Sequence, residues 1–226
     1  MQDHIVKIKN ISKLFATKSG PLELFTDVNL TFCPSTSYAL IGESGVGKST
    51  LLHIASGLEK PSSGEVFFGE KNFWGLKASS QSNLRLNDTA IIFQQYNLIP
   101  CLNVKENIEF QSRVNNSYNS EYIEEIIEDL QITRLLGEWP ESLSGGEQQR
   151  VAIARAIIAG TNLILADEPT GNLDFKTSKE IFSYFLKLKK LKKTIIFATH
   201  NRELANRADY KLLISDGNIK RVNVRK

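Results

Sequence analysis

The sequence predicts an α/β fold, a mostly parallel sheet with helices packed on both of its faces. Short apolar segments alternate with segments of helical spacing along most of the 226 residues, and strands buried on both faces have this apolar character. A glycine-rich stretch, Gly42–Thr50, also separates an apolar segment from a helical one. That order places a turn at the carboxyl end of a parallel strand, where ligands bind in such folds.

The first predicted elements surround this glycine-rich stretch. Apolar and polar residues alternate over 28–32, which predicts a half-buried strand. The apolar run Tyr38–Ile41 predicts a buried strand. The helix that follows begins at about Lys48, and Gly57 is a suitable C-terminal stop.

The later elements continue the alternation. A helix is predicted from about Thr177 to Lys190, and another begins just after Ser144. Further strands are predicted at 64–69, 90–93, 163–166, 194–199, 210–215 and 218–222.

The region between the strands at 90–93 and 163–166 lacks a strand pattern. Its apolar residues have helical spacing, as in Ile123, Ile126 and Ile127. We therefore expect a helical subdomain, about residues 96–158, inserted into a single α/β domain rather than a second independent domain.

Composition excludes several classes of protein. The net charge of +3 is too small to indicate nucleic-acid binding. Cys33 and Cys101 show neither metal-ligand spacing nor a disulfide framework, and they suit a reducing compartment. The first ten residues lack the apolar core of a signal peptide, and no run approaches the ~18 apolar residues of a spanning helix. If the protein works at a membrane, we expect another chain to cross it.

The glycine-rich stretch is a phosphate-binding motif. It matches G-x-x-x-x-G-K-[ST] in the required context of strand, loop and helix. Its backbone N–H groups are expected to surround the phosphates, Lys48 to reach the terminal phosphates, and the Ser49 hydroxyl to meet Mg²⁺. The competing interpretation, a chance glycine-rich turn, is disfavoured by this context. The predicted nucleotide contacts are Gly42, Glu43, Ser44, Gly45, Val46, Gly47, Lys48, Ser49 and Thr50.

Two adjacent acids follow the apolar strand at 163–166. Carboxylates beside a phosphate site are costly unless a cation and a water use them. We expect Asp167 to face Mg²⁺, largely through water, and Glu168 to act as general base for the attacking water. An acidic strand-to-turn cap is the alternative, and the phosphate-binding loop in the same chain weighs against it.

Chemistry alone leaves three further features open. His200 follows the strand at 194–199 and is suited either to contact a γ-phosphate and the water or to a structural role. Gln94 follows the strand at 90–93, where it is either a ligand for Mg²⁺ and water or a solvated loop residue. The apolar loop Tyr96–Pro100 beside it either docks a partner or packs on the helical insert.

The stretch Leu143–Gly160 begins with a capping motif and two glycines. Ser144 and Glu147 have S-x-x-E spacing, in which each side chain bonds the other residue's backbone N–H. Gly145 and Gly146 weaken a first helical turn. Their presence indicates that a negatively charged group approaches this helix N-terminus closely.

Taken together, these motifs resemble the ATP-binding cassette (ABC) ATPase family over nearly the whole chain. The most specific is "LSGGEQQR" (143–150), which resembles the ABC signature motif and precedes "LILADEP" (163–169) as the family requires. "TGNLD" (170–174) is similar to the D-loop, "ATH" (198–200) to the switch-histidine segment, and Gln94 to the Q-loop residue. Finer details resemble the branch of macrolide exporters, lipoprotein-release ATPases and the cell-division ATPase of similar build.

The resemblance implies a P-loop NTPase core with an antiparallel β subdomain and the inserted helical subdomain. It implies ATP and Mg²⁺ as ligands, makes Gln94 a metal and catalytic residue beside Lys48, and makes His200 catalytic. It also implies that Phe15 stacks on adenine, where a tyrosine is usual, since phenylalanine keeps the ring face. Asp174 is implied as a further nucleotide contact.

The resemblance also implies partners. Two cassettes pair head to tail around two ATP molecules, so that Ser144, Gly145 and Gly146 of one copy face the γ-phosphate held by the other. A separate, integral membrane permease-like chain places the dimer at the cytoplasmic face of the membrane, for export or envelope work, without nucleic acid. Two alternatives stay open: an ATP-gated mechanical switch on a membrane partner without transport, and a soluble ABC ATPase.

Overall fold

The computed structural model describes residues 5–18, 20–171, 173, 175–190 and 192–222, with the backbone alone for 175–177 and 186–190. The predicted α/β class is confirmed. The strands are β1 (Val6–Thr17), β2 (Gly20–Phe32), β3 (Ser37–Ile41), β4 (Ser63–Phe68), β5 (Lys71–Asn72), β6 (Thr89–Ile92), β7 (Leu163–Asp167), β8 (Thr194–Ala198), β9 (Tyr210–Ser215) and β10 (Asn218–Val222). The helices are α1 (Lys48–Ala55), α2 (Ala78–Asp88), α3 (Val104–Val114), α4 (Ser120–Asp129), α5 (Gly145–Ile158), α6 (Phe175–Lys190) and α7 (Arg202–Ala205).

The larger sheet positions the site. Its strand order is β10-β9-β3-β8-β7-β6, and every pairing except the antiparallel β10–β9 edge is parallel. Strands β3, β7 and β8 are buried along almost their whole length, as their apolar sequences predict. The carboxyl ends of β3, β6, β7 and β8 therefore meet at one edge, followed by Gly42, Gln94, Glu168 and His200.

Strands from the amino-terminal part of the chain form a second sheet. It is antiparallel, with strand order β2-β1-β4-β5, and it agrees with the antiparallel β subdomain that the resemblance implies. One hydrophobic core joins this sheet to α1 and the larger sheet, and it includes the fully buried Phe25, Leu51 and Ile196. Helix α1 is thus enclosed between the two sheets.

Helices alone fill the segment between β6 and β7. Helices α3, α4 and α5 and short 3₁₀ turns form it, without a strand. Their apolar faces share a second core with α6 and the larger sheet, including Ile108, Ile126 and Ile153. The side chain of Asn107, with no exposed surface, bonds Ile99 and Leu102 and so fastens the preceding loop to α3.

The predicted strands are all present, while β1, β5, α2 and α7 were not predicted. Helix α2 has no buried residue, so it lacks the apolar stripe by which an amphipathic helix is recognised. Strand β5 has only two residues. Among the described residues, no helix combines the length and the apolar character needed to cross a membrane.

Candidate functional site

The loop between β3 and α1 leads into the N-terminus of α1, which has no side-chain cap. Gly47 is the N-cap residue, with φ 101°, and no side chain bonds the first N–H groups of α1. The first turn also contains no acidic residue. Because the opening N–H groups of a helix lack intrahelical partners and carry positive potential, this end of α1 is suited to an anion.

The loop packs tightly on its neighbours, and two glycines allow it. A Cβ atom on Gly42, whose φ is +154°, would lie 2.6 Å from the carbonyl oxygen of Ile214 in β9. A Cβ atom on Gly47 would lie 2.7 Å from the ring of Phe25 in β2. Both sheets thus hold the loop in place, and a side chain at either glycine would displace it.

Lys48 is held inside the loop. Its Nζ atom donates to the carbonyl oxygens of Gly42, at 3.1 Å, and Glu43, at 2.9 Å, and the residue is only 7% exposed. The same nitrogen lies 3.4 Å from Nε2 of His200. The ammonium group is therefore kept at the edge where the parallel strands end.

Nine of the eighteen predicted site residues line one cavity. Its volume is about 340 Å³, and Lys48, Gln94, Glu168 and His200 meet there. The complete lining is Leu24, Ser44, Gly45, Gly47, Lys48, Ser49, Thr50, Gln94, Glu168, Gly171 and His200. Glu43 and Val46 instead face a larger cavity, of about 920 Å³, on the side of the loop toward β9 and α7.

Asp167 and Glu168 sit at the end of β7 in different environments. Asp167 is 8% exposed, and its Oδ1 atom has no hydrogen-bond partner among the described residues. A buried carboxylate oxygen without a partner is costly, and a cation with its waters would satisfy it. Ser49 and Gln94 line the cavity, whereas Asp167 does not, and all three carry oxygen atoms of the kind that Mg²⁺ prefers as ligands.

Glu168 has a left-handed backbone, with φ 45°, an uncommon conformation for a residue that is not glycine. Its N–H donates to the carbonyl of Ala198, at 3.1 Å, and its carbonyl accepts from Gly171, at 3.0 Å. These bonds hold the strained residue, and its side chain reaches the cavity.

His200 lies between Glu168 and Lys48. Its backbone N–H donates to Oε2 of Glu168 at 3.3 Å, and its Nε2 atom lies 3.1 Å from Oε1 of Glu168. An ammonium only donates hydrogen bonds and a carboxylate only accepts them. Oε1 of Glu168 makes no hydrogen bond among the described residues, whereas Nε2 of a neutral ring protonated on Nδ1 can accept from Lys48.

The Ser144 turn is a second helix N-terminus, and its predicted capping box is confirmed. The Ser144 N–H donates to Oε2 of Glu147 at 3.0 Å, and the Glu147 N–H donates to the Ser144 oxygen at 3.4 Å. The Ser144 hydroxyl also donates to that carboxylate, at 2.7 Å. This hydroxyl bond, with the Ser144 N–H and Arg134, lowers the pKa of the Glu147 carboxyl.

The turn does not contribute to the cavity of its own chain. None of Ser144, Gly145 and Gly146 lines the 340 Å³ cavity, and Ser144 and Gly145 are exposed. The exposed turn leaves room for another molecule to approach.

Phe15 lies apart from the cavity. Phe15 is 37% exposed on β1, paired across the sheet with Leu22, and the Lys13 ammonium lies 4.7 Å from its ring centroid. Phe15 does not line the cavity, so its contact with adenine stays a prediction. Asp174 lies outside the described residues.

Leu24 and Gly171 line the cavity although they were not predicted. Leu24 lies on β2, far along the chain from the phosphate-binding motif, and it carries no chemical signature. Gly171 belongs to the "TGNLD" segment, and a Cβ atom there would lie 3.3 Å from the Cβ of Glu168. The position of Gly171 in that motif is the one signal by which it was detectable.

Comparison with known proteins gives a consistent family. The family model described as "ABC transporter" matches residues 25–171. The lipoprotein-releasing system ATP-binding protein LolD of Rickettsia bellii is 43% identical over 94% of this chain and 96% of its own length. The LolD protein of Wigglesworthia glossinidia brevipalpis is 34% identical over 97% of this chain and 98% of its own length.

Solved structures share the fold over nearly the full length. A dimeric post-hydrolysis state of the ATP-binding cassette MJ0796, bound to ADP and Pi, matches with a TM-score of 0.89 and 33% identity. It covers 98% of this chain and 99% of that chain. The cbiO1 structure from Clostridium perfringens, part of the ABC transporter complex cbiONQ, matches with a TM-score of 0.82 and 26% identity, over 98% of this chain and 89% of its own.

Proposed function

Because the chain belongs to the ABC transporter family, we propose that it binds and hydrolyses ATP as the energising subunit of a membrane ABC system. Two copies pair head to tail around two ATP molecules. The ATP-driven closure and reopening of this pair move a separate permease-like chain at the cytoplasmic face of the membrane.

One observation carries this proposal: the N-terminus of α1 faces the cavity of its own chain, whereas the glycine-containing N-terminus of α5 does not. The uncapped end of α1 lines the cavity with Lys48, Glu168 and His200. The Ser144 turn is exposed and lies outside that cavity. A second copy brings its own phosphates to this turn, and the missing side chains of the two glycines let those phosphates approach the helix N-terminus closely.

The first site binds the phosphates of ATP in its own chain. The loop N–H groups and Lys48 neutralise phosphate charge, which is most of what catalysis of phosphoryl transfer requires. Ser49 and Gln94 hold Mg²⁺, with Asp167 acting largely through water. When bound, the ion neutralises charge on the phosphate oxygens.

In this proposal Glu168 acts as the general base. Its carboxylate accepts a proton from the attacking water as the water adds to the γ-phosphorus and the bond to the β-phosphate oxygen breaks. His200, bonded to Glu168 through its backbone N–H at 3.3 Å, keeps the carboxylate oriented. Its ring Nε2, near both Glu168 and Lys48, lies where it can also contact the phosphate.

The Ser144 turn completes the site of the other copy. Its hydroxyl donates to Glu147 at 2.7 Å, and it exchanges this bond for one to the partner's γ-phosphate on closure. Glu147 keeps its bonds to the Ser144 N–H and Arg134, so the helix end stays capped. The partner's helix N-terminus then supplies positive potential without an arginine finger.

We infer that the loop Tyr96–Pro100 transmits the motion to the permease. It directly follows Gln94, and Tyr96, Leu98 and Ile99 are only half-buried. Leu98 packs on the core of the helical insert, so the loop connects the nucleotide cavity with the helices at 96–158. The names of the similar proteins favour lipoprotein release among the envelope functions.

The test is the Glu168→Gln variant of the full chain. Without the carboxylate base hydrolysis slows, so the ATP-bound pair accumulates, and size exclusion with ATP and Mg²⁺ should show a shift from monomer to dimer. The exposed Glu121, on α4, supplies the matched control: Glu121→Gln should elute like the unaltered chain. An unshifted Glu168→Gln variant contradicts the paired-site mechanism.

A Gly146→Glu variant tests the role of the second turn. The added negative charge should leave ATP binding to the monomer within about twofold of normal and abolish hydrolysis, because it repels only the partner's phosphate. If ATP binding fails while hydrolysis per bound ATP survives, the turn binds the nucleotide of its own chain.

Isolation of the complex from native membranes identifies the permease chain. ATP turnover of that complex with and without lipoprotein substrates separates transport from mechanical switching.

A further inference from the structure

The loop after Gln94 contains two consecutive residues with a left-handed backbone. Tyr96 has φ 61° and Asn97 has φ 47°; the conformation is uncommon for tyrosine, whereas asparagine adopts it more readily. Such conformations persist only where surrounding bonds hold them, and they occur often in switch regions. The bonds that hold this pair therefore show to which element the loop is attached.

The attachment is to α5, through Arg155. Its Nη2 atom donates to the carbonyl of Tyr96 at 2.9 Å, and its Nη1 atom donates to the carbonyl of Asn97 at 2.8 Å. Among the described residues no carboxylate pairs with Arg155. Its guanidinium therefore binds the carbonyls of Tyr96 and Asn97, and the planar arrangement of its N–H donors suits two adjacent acceptors.

The phenol group of Tyr96 lies beside Gly145, at the other end of the same helix. A Cβ atom on Gly145 would lie 3.0 Å from the Tyr96 hydroxyl oxygen but 3.8 Å from its Cζ atom. Gly145 and Arg155 are about 15 Å apart along the helix axis. Tyr96 therefore contacts α5 near Arg155 with its backbone and at the Ser144 turn with its phenol group.

We propose that Tyr96 and Arg155 are positioning residues that join the Gln94 loop to the Ser144 turn, so that the two move as one unit. A displacement of Gln94 at one nucleotide reaches, through α5, the turn that faces the other nucleotide. The coupling between two nucleotides rests on the proposed function, whereas the contacts of Tyr96 and Arg155 do not depend on it. The contact also explains, within a single chain, why a glycine occupies position 145: the missing Cβ leaves space for the Tyr96 hydroxyl.

The contact is tested by a double-mutant cycle of Gly145→Ala and Tyr96→Phe. Gly145 has no left-handed φ, so alanine suits its backbone. Gly145 also belongs to the turn proposed to face the partner's phosphate, so the cycle is read from stability rather than from ATP turnover. The added methyl lies 3.0 Å from the Tyr96 hydroxyl oxygen, whereas with Tyr96→Phe the nearest ring atom is 3.8 Å away, so the methyl should cost stability only where the hydroxyl is present.

The melting temperature gives a readout that needs no nucleotide. Alanine is a better helix former than glycine, so Gly145→Ala should raise the melting temperature by about 2 °C in the Tyr96→Phe background and not in the native one. Gly137→Ala, whose Cβ meets nothing within 4 Å, controls for the general effect of the exchange. Equal effects of Gly145→Ala in the two backgrounds overturn the contact.

The coupling is tested through Arg155. In the monomer, ATP should slow hydrogen exchange both at the Gln94 loop and at residues 143–150. The Arg155→Ala variant should keep the first change and lose the second, and Arg155→Lys should restore part of it through one bond. Arg113→Ala is the matched control, because Arg113 is bonded to Glu109 on its own helix and should leave both changes intact.

If ATP still slows hydrogen exchange both at the Gln94 loop and at residues 143–150 in Arg155→Ala, the proposed coupling is wrong. A Glu168→Gln variant that stays monomeric rejects the paired sites instead, while the melting cycle and the monomer exchange experiment still report on Tyr96 and Arg155. The failure of the inference and the failure of the proposed function are therefore distinguishable.

Discussion

The Gly42→Ala variant tests how the phosphate-binding loop is held. Three features of the structure oppose a side chain at this position. The φ of +154° is a conformation that other residues rarely adopt, and the new Cβ would lie 2.6 Å from the Ile214 carbonyl and 2.9 Å from Cγ1 of Val46. The first of these contacts is about 0.8 Å shorter than the 3.4 Å at which ordinary contact begins.

The expected magnitude follows from these contacts. Val46 can rotate away, but Ile214 belongs to β9, which pairs with β3 in the sheet, so the loop itself must move. The backbone strain and the overpacking each cost about 1–3 kcal/mol. We expect Gly42→Ala to lose about 3 kcal/mol of unfolding free energy, which lowers the melting temperature by about 6–12 °C. ATP affinity should fall at least about tenfold, because the loop N–H groups are displaced.

Thermal unfolding and titration with a fluorescent ATP analogue measure the two effects. Gly45→Ala separates the causes, because Gly45 has φ +77° but its Cβ would meet nothing within 4 Å. It should show the cost of backbone strain alone. Gly137→Ala has neither feature and should behave like the unaltered chain. A Gly42→Ala variant with native stability and affinity would refute the argument that β9 fixes the loop.

Two further predictions concern the helical insert. Asn107→Ala leaves the half-buried Ile99 N–H and Leu102 carbonyl without their amide partner, and it should cost about 3 kcal/mol in urea unfolding. Asn103→Ala, which removes only the N-cap of α3, should cost about 1 kcal/mol. The lowered pKa of Glu147 means that its cap stabilises the fold above its ordinary pKa of 4.5 and is lost as the pH falls through the lowered value. The stability difference between the unaltered chain and Ser144→Ala should therefore shrink below about pH 4.5, and a difference that is constant from pH 7 to 3 contradicts this reasoning.

Much of the fold was predictable because the buried strands are apolar along their whole length. The predicted strands at 163–166 and 194–199 match β7 and β8 to within one residue, and the helix predicted to begin at Lys48 is α1. Helix α2 was not predictable, because it buries no residue and so leaves no apolar pattern.

The Ser144 turn shows the limit of local reasoning. Its capping box depends on residues three apart, and spacing alone predicted it. The glycine pair suggested an approaching anion, and the sequence offered no other cause. The structure adds one for Gly145, the hydroxyl of Tyr96, because this contact depends on how the loop after β6 packs on α5.

The sequence by itself determined the family, the order of the motifs and the strand after which each chemical group lies, since these depend on local spacing and on burial. Tertiary structure decided which groups meet. It placed Nε2 of His200 3.4 Å from Nζ of Lys48 and 3.1 Å from Oε1 of Glu168, although Lys48 and His200 are 152 positions apart. It also left the Ser144 turn outside the cavity. The physical reason is that parallel strands bring distant segments to one edge, and the distances there depend on packing between the sheets that no local pattern records.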